Sequence, residues 1–284
     1  MVTATALNGT VRLIAVRTTE LCREAARIHD LSPVSAVIMG RMLTGLLLLA
    51  SDLKSSRDSL SITIHSQGDL QRLTVVGEAD GTVRGEMAAT QLPTAVDDRG
   101  LLQIGPAVMP GQMTVVRSQQ MKDPYSGTIE LVSGEIAEDL TKYLAISEQI
   151  PSAVLLGSKP DAKQPGHSGG LLVQMMPGYD DEAAAWVEAR VQGFPDVTYW
   201  LQEGFTPAQL CDLMMGDPDI QYLDVRPVSY HCNCSRERMT AALLALGRDD
   251  LYELVDDPDG IELVCHFCNT TYHFPPEQLL DLTE

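Results

Sequence analysis

Hydrophobic and polar positions change rhythm several times along the chain, and each rhythm predicts a different element. Residues 2–17 alternate around Asn8-Gly9, a two-residue turn signal, and predict a β-hairpin. Thr18-Thr19 offers a cap for a helix running to about His29. Ser32-Pro33 sets an N-cap residue before proline at the first helical position and opens an apolar helix to about Leu53. From Leu60 to Glu135 short strands dominate, at 60–66, 70–77, 82–87, 112–117 and 128–133, parted by turns such as Ala79-Asp80-Gly81. A helix follows at 137–147, then strands at 153–156 and 171–176 that return to the sheet. Strands in runs with helices gathered elsewhere predict an α+β domain with an antiparallel sheet over 1–178.

Beyond Gly178 the pattern turns helical. Asp180, Asp181 and Glu182 favour a helix start electrostatically, and Trp186, Val187, Val191 and Phe194 follow at amphipathic spacing. Thr206-Pro207-Ala208-Gln209 has the form of a capping box, and its helix closes near Gly216. Residues 179–228 therefore predict amphipathic helices packed on the sheet, a helical linker whose apolar face is open to being uncovered on demand. In the last segment, 229–284, Ser235 caps a helix at 236–246, and strands at 261–265 and 271–274 flank Cys265-His266-Phe267-Cys268-Asn269-Thr270.

Charge sharpens the boundary near Gly178. Residues 1–178 hold 15 Lys and Arg against 18 Asp and Glu, whereas 179–284 hold 5 against 21. The net charge of −19 repels phosphate backbones and argues against a nucleic-acid partner. Hydrophobic residues make up 44% of the chain, enough for a packed core and too many for a disordered one. The N-terminus shows no signal-peptide pattern. The most apolar stretch, 34–50, is broken by Ser35, Arg41, Thr44 and two glycines, short of the ~20 residues of a bilayer span. The expectation is a cytoplasmic protein without membrane association, its thiols reduced at rest.

Six cysteines in such a compartment point to metal or redox chemistry. Four form two pairs: Cys232-Asn233-Cys234, then thirty residues, then Cys265-His266-Phe267-Cys268. Two such pairs supply the four thiolates of one tetrahedral zinc, with Zn–S distances near ~2.3 Å. The C-x-C spacing is unusual for a structural ribbon and also reads as a redox couple. A segment this short has little core, so zinc at about 10–16 kcal/mol of apparent binding energy outweighs it, and 229–284 is expected to fold with zinc and melt without it. Thiolate is also the oxidisable form of cysteine, so an oxidant would remove the ligands and melt the segment. A permanent zinc staple and a redox sensor both fit. A thioredoxin-like enzyme fits poorly, because its C-x-x-C opens a helix in a βαβ unit. A catalytic zinc fits poorly too, because four cysteines leave no open position.

Other features carry less. His231, His266 and His273 are spare ligand candidates beside a shell the thiolates already fill, and Arg236 and Arg238 are either thiol-activating or solvated helix charges. Gly166-His167-Ser168-Gly169-Gly170 matches a nucleophile elbow but lacks the strand before and helix after, and reads as a glycine-rich hairpin turn. Asp256-Asp257-Pro258-Asp259-Gly260 lacks calcium-loop spacing and reads as an acidic turn. Cys22 and Cys211 fall in helical patterns as packed thiols.

With its two cysteine pairs in place, the chain resembles the redox-regulated heat-shock chaperonin family HslO. His231 to Arg238 and Cys265 to Asn269 carry the signature. Val16-Arg17-Thr18-Thr19, Val132-Ser133-Gly134-Glu135, Ser147-Glu148-Gln149-Ile150-Pro151-Ser152 and Gly169-Gly170 running into Val173–Gly178 extend the likeness along the whole chain. The resemblance implies an ATP-independent holdase, not an enzyme. Cys232, Cys234, Cys265 and Cys268 hold one zinc per chain while the protein is idle. Oxidation closes disulfides Cys232–Cys234 and Cys265–Cys268, releases the zinc and loosens the linker. Homodimers then form and bind unfolding client proteins in the cytoplasm. The competing expectation is a constitutive zinc-stapled binding module without a switch.

Overall fold

A computed structural model describes residues 1–96, 102–118, 124–159, 166–255 and 257–282. The chain divides into two compact units, Met1–Tyr230 and His231–Glu284.

In the first unit, β1 (Val2–Ala6) and β2 (Val11–Arg17) form the expected hairpin. Asn8 (φ 55°) and Gly9 (φ 86°) turn the chain in the left-handed region that suits both residues. Helix α1 (Thr19–His29) begins as expected, but Thr18 makes no side-chain cap; its hydroxyl bonds the Thr44 hydroxyl at 2.7 Å inside the core instead. Helix α2 (Pro33–Leu49) is capped by Ser32, whose Oγ accepts from the Ser35 amide at 3.4 Å. The apolar stretch Pro33–Asp52 has the length and hydropathy of a membrane span, yet 89% of its window is buried within this fold. Next come β3 (Ser59–Ser66), β4 (Arg72–Glu78), β5 (Thr82–Met87), α3 (Gly105–Val108), β6 (Gly111–Ser118) and β7 (Tyr125–Glu130). Helix α4 (Ala137–Tyr143) runs into a π-helical turn at Leu144–Glu148, followed by β8 (Ser152–Lys159) and β9 (His167–Met175). Helices α5 (Asp181–Gln192), α6 (Val197–Gln202) and α7 (Pro207–Met215) precede two late strands, β10 (Gln221–Val225) and β11 (Ser229–Tyr230).

The fold is α+β, as the sequence predicts, with a correction to the sheet. The strands form two sheets, ordered β10-β1-β2-β9-β8 and β11-β5-β4-β3-β6-β7. Pairing is antiparallel except for β11, which runs parallel to β5. The segments near 153–176 thus do not rejoin the sheet of 59–130; they pair with the N-terminal hairpin, Arg17 opposite Gly169 and Val11 opposite Met175. Alternation fixes which face a residue occupies but not which distant strand it pairs with.

Helix α2 lies against strands of both sheets and is buried almost all round. Strand β2 is buried on both faces: Ile14 and Val16 point into the core around α2, whereas Val11, Leu13 and Ala15 point into a second core under α5–α7. That second core joins Val187, Val197, Leu201, Leu210, Cys211, Met214 and Met215, with Trp200 and Phe205 packed against it. The amphipathic helices of 179–228 are thus docked on the outer face of the five-stranded sheet. Their caps follow the sequence: Asp180 accepts from Ala183, and Thr206 and Gln209 complete the capping box. The stretch Gly166–Gly170 is a correction. From His167 onward it lies within β9, and its glycines meet close neighbours: a Cβ on Gly169 would sit 2.5 Å from the Val16 carbonyl oxygen.

The second unit contains α8 (Arg236–Leu244), α9 (Arg248–Val255), a hairpin of β12 (Ile261–Val264) and β13 (Thr271–Phe274), and α10 (Pro276–Asp281). Its core is small, with Leu243, Leu251, Phe274 and Leu279 buried. Asp257–Gly260 form the turn into β12, closed by the Gly260 amide on the Asp257 carbonyl at 3.1 Å; Asp256 lies outside the described residues.

Candidate metal centre

The two cysteine pairs reach one point by different local devices. Strands β12 and β13 pair in register, Val264 opposite Thr271, so Cys265–Thr270 caps a hairpin. The Cys265 amide donates to the Thr270 carbonyl at 2.9 Å, and the amides of Cys268 and Asn269 both donate to the Cys265 carbonyl, at 3.2 and 2.8 Å. Asn269 (φ 57°) takes the left-handed conformation that reverses the chain, one that Asn tolerates. This turn sets the sulfurs of Cys265 and Cys268 on the same side. Cys232 and Cys234 lie just before α8, where Ser235 caps the helix by accepting from the Arg238 amide at 3.3 Å.

The four sulfurs lie within 4.8 Å of one another. Cys232 Sγ is 3.6 Å from Cys265 Sγ, and Cys234 Sγ is 3.4 Å from Cys268 Sγ. Four sulfurs around a tetrahedral ion at ~2.3 Å would stand roughly 3.8 Å apart, so the spacing fits a single ion. No two of the sulfurs are bonded to each other. An all-sulfur tetrahedral set suits zinc or an iron–sulfur centre among biological metals and leaves no open position for a substrate. Cys265 is buried, and the other three are half-buried.

Crowding sets the thiols' acidity. Burial pushes the Cys232 and Cys265 thiols up. Burial also pushes Cys268 up, but its hydrogen bonds with the Thr270 hydroxyl and amide and with the Cys234 and Cys265 thiols outweigh it and bring Cys268 down to about 7. Four adjacent thiols cannot all ionise against one another, whereas a divalent cation at their centre inverts that logic and holds every sulfur as thiolate.

Other residues singled out in the sequence are not members of the four-sulfur group. Cys22 and Cys211 lie on α1 and α7, and burial raises both thiols, Cys211 to about 12. His273 Nε2 is 3.0 Å from the Asp259 carbonyl. Arg236 donates to the His273 carbonyl at 2.7 Å and Gln278 Oε1 at 2.8 Å, with its guanidinium 4.5 Å from the Phe274 ring centroid. Arg238 is held by Asn233 Oδ1.

Two neighbours carry no signal in the sequence pattern. The Tyr272 hydroxyl is 3.1 Å from Cys234 Sγ, and Thr270 Oγ1 is 3.2 Å from Cys268 Sγ. The turn explains the Thr270 contact, since Thr270 and Cys268 stand two residues apart in it, whereas Tyr272 is brought to Cys234 by β13. The Cys234 hydrogen bond, ahead of partial burial, pushes the Tyr272 phenol up to about 12.

The family model described as Hsp33 protein matches residues 1–275. The 33 kDa chaperonin of Ruminiclostridium cellulolyticum is 40% identical, over 100% of this chain and 97% of its own. That of Clostridium botulinum strain Alaska E43 is 38% identical, over 99% and 96%. The crystal structure of the 33 kDa chaperonin (heat shock protein 33 homolog) from Thermotoga maritima superposes with a TM-score of 0.89 at 31% identity, covering 99% of this chain and 96% of that one. With the paired cysteines gathered at one point and the likeness running end to end, the chain belongs to the Hsp33 family of 33 kDa chaperonins.

Proposed function

We propose that this chaperone is a redox-regulated, ATP-independent holdase of the cytoplasm, idle while Cys232, Cys234, Cys265 and Cys268 hold one zinc ion. The observation that carries the reading is the convergence of four thiols in a unit whose own core is small, built on Leu243, Leu251, Phe274 and Leu279. When bound, zinc supplies a fixed positive charge that keeps all four sulfurs deprotonated and ties the start of α8 to the β12–β13 turn.

The chain's residues set out the switch. A thiolate sulfur attacks one oxygen of hydrogen peroxide; the O–O bond breaks, hydroxide leaves and a sulfenic acid remains. The partner thiolate displaces a second hydroxide, and a disulfide closes. Each thiolate pair thus passes two electrons to one peroxide as its disulfide forms. We assign the pairs Cys232–Cys234 and Cys265–Cys268 from chain proximity and family likeness. With its ligands consumed, the unit His231–Glu284 loses the cross-link and melts. Residues 221–230 run directly into Cys232, so unfolding there is passed along the chain toward the docked helices α5–α7. Their undocking would uncover Val187, Leu201, Leu210 and Met214 together with the β2–β9 face beneath, a surface that fits unfolded clients and a second copy in a homodimer. Thioether side chains suit such varied partners. The acidic C-terminal part would oppose the opened form's own collapse.

The test combines peroxide with mild heat. A metal-sensitive dye should register about one zinc released per chain, and light scattering should show aggregation of a heat-denatured client suppressed only by the oxidised protein. Equal suppression by reduced and oxidised forms would leave a constitutive zinc-stapled module. Catalytic turnover in an insulin-reduction assay would instead indicate a thiol–disulfide enzyme.

A further inference from the structure

The hairpin that carries the second cysteine pair also delivers two hydroxyl groups to the cluster, one to each pair. Tyr272, on β13, places its hydroxyl 3.1 Å from Cys234 Sγ, and Thr270, two residues earlier, places Oγ1 3.2 Å from Cys268 Sγ. The Tyr272 ring is fixed, because it packs against the small core of Leu243, Leu251, Phe274 and Leu279 and sits on a strand paired to Leu263. Its oxygen reaches across from the hairpin to a sulfur on the other side of the site, at the start of α8. Cys268 and Thr270 are near neighbours in one turn, so their contact follows from the turn itself. The contact between Tyr272 and Cys234 spans 38 residues and needs the unit folded.

Against a thiolate the hydroxyl can only be the donor. A donated hydrogen bond draws electron density off the sulfur and occupies the lone-pair direction along which it would attack an electrophile. Hydrogen bonds to thiolate ligands tune how readily such centres are oxidised. We infer that Tyr272 shields Cys234 from oxidants, acting as a positioning residue that sets the peroxide threshold of the centre. The shield acts on a specific step. Oxidation at Cys234 requires its sulfur to form an S–O bond with peroxide while the O–O bond breaks and hydroxide departs; with Tyr272 in place, the attacking lone pair is already engaged. Because the ring is held by the small core, loosening that core withdraws the hydroxyl and exposes the sulfur. Heat and oxidant would then act together on one atom.

This inference rests on the reading that the four thiols hold a metal, and the experiment separates the two. Full-length wild type, Tyr272→Phe and Thr270→Val are purified without air and their zinc content measured. Metal-free wild type would overturn the reading of the centre. With zinc present, its release is timed under peroxide and, separately, under chelator alone. The expected result for Tyr272→Phe is zinc content equal to wild type and peroxide-driven release faster by about three- to tenfold, the rate equivalent of losing part of a hydrogen bond to a charged group. Release to chelator should change less than about twofold, and sulfenic acid trapped by dimedone at Cys234 should rise. Thr270→Val should raise trapping at Cys268, not at Cys234. Equal peroxide rates for wild type and Tyr272→Phe would overturn the inference. So would a matched acceleration by peroxide and chelator, or loss of zinc from Tyr272→Phe as purified, since either would mean the hydroxyl only holds the site together.

Discussion

Replacing Cys232 and Cys234 by serine tests what holds the second unit together. Its buried core is Leu243, Leu251, Phe274 and Leu279. Cores of this size leave roughly 3–5 kcal/mol of net stability at most. A structural all-thiolate zinc contributes about 10–16 kcal/mol of apparent binding energy at neutral pH. A zinc ion held by all four sulfurs would therefore be the larger quantity by a factor of two or more, and removing two of its ligands would take away most of this unit's stability. The first unit has a different source of stability: α2 and strands of both sheets bury an extended core, and none of its side chains belongs to the cysteine cluster.

The expected outcome is selective. In the reduced full-length double variant, hydrogen exchange read by mass spectrometry should show amides of α8, β12 and β13 exchanging at the rate of an unfolded chain. Amides of α2, β2, β3 and β9 should stay protected. The same pattern should follow treatment of wild type with a strong chelator and a reductant. Retained protection over 236–244 and 261–274 in the zinc-free variant would refute the account, because the small core would then suffice alone.

Three further outcomes bear on the first unit. Asp139 is fully buried, and its carboxylate accepts from the amides of Val132 (2.6 Å), Ser133 (3.3 Å) and Ile136 (2.9 Å); Asp139→Ala orphans these donors and should cost about 3 kcal/mol or more in urea unfolding. Gly170→Val would bring a Cβ to 2.9 Å from Leu156 Cδ2 and from Thr44 Cγ2 and 3.0 Å from the Leu155 carbonyl oxygen, and should cost about 1–3 kcal/mol in the same measurement. Cys211, raised to about 12 by burial and then by Asp212, should resist iodoacetamide at pH 8 in the native protein. Its raised value also means stability present below the ordinary thiol range is lost as pH rises from about 9 toward 12, so Cys211→Ala should flatten the alkaline fall in melting temperature.

Local chemistry explains which parts of the fold are legible in the sequence. Ser32-Pro33 and Thr206-Pro207-Ala208-Gln209 mark helix starts because a cap is a contact among neighbours, and both caps form. Asn8-Gly9 marks a hairpin for the same reason. The division into two sheets is not legible, because Val11 meets Met175 and Val2 meets Val225 across most of the chain, and periodicity carries no address for a distant partner. The late strand β10 escapes notice for a second reason. Tyr222, Leu223 and Val225 are all exposed, so no buried face imprints an alternating pattern on 221–225. Gly166–Gly170 misleads in the opposite direction: the glycines signal a turn, whereas β9 uses them because Val16, Thr44 and Leu156 leave no room for side chains. At the centre, the paired cysteines are conspicuous because residue type and spacing encode a ligand set directly. Tyr272 is one tyrosine among eight, distinguished only by where the hairpin aims it.

The weak imprint of 221–230 bears on how a redox event could spread. The five-residue strand β10 is an edge, largely exposed, held to β1 by backbone pairing rather than by a buried face. Beyond it, Arg226 donates to the Ala79 carbonyl and exchanges hydrogen bonds with Met1, and β11 adds two residues to the edge of β5. Tyr230 then closes the unit, bonding the Gly85 carbonyl at 3.0 Å with His29 Nε2 3.1 Å away. Apart from the packing of Val228 and Tyr230 on the core, these are polar and edge contacts, each worth about 0.5–1.5 kcal/mol, in contrast to the apolar packing of α2. Elements of this kind open first in native proteins, since few buried apolar contacts oppose them. The stretch next to Cys232 is therefore held largely by edge and polar contacts, with Val228 and Tyr230 as its apolar anchors, and under the proposed switch it would yield before α2 does. The core around α2, buried almost all round, would keep its own packing after β10 and β11 had opened.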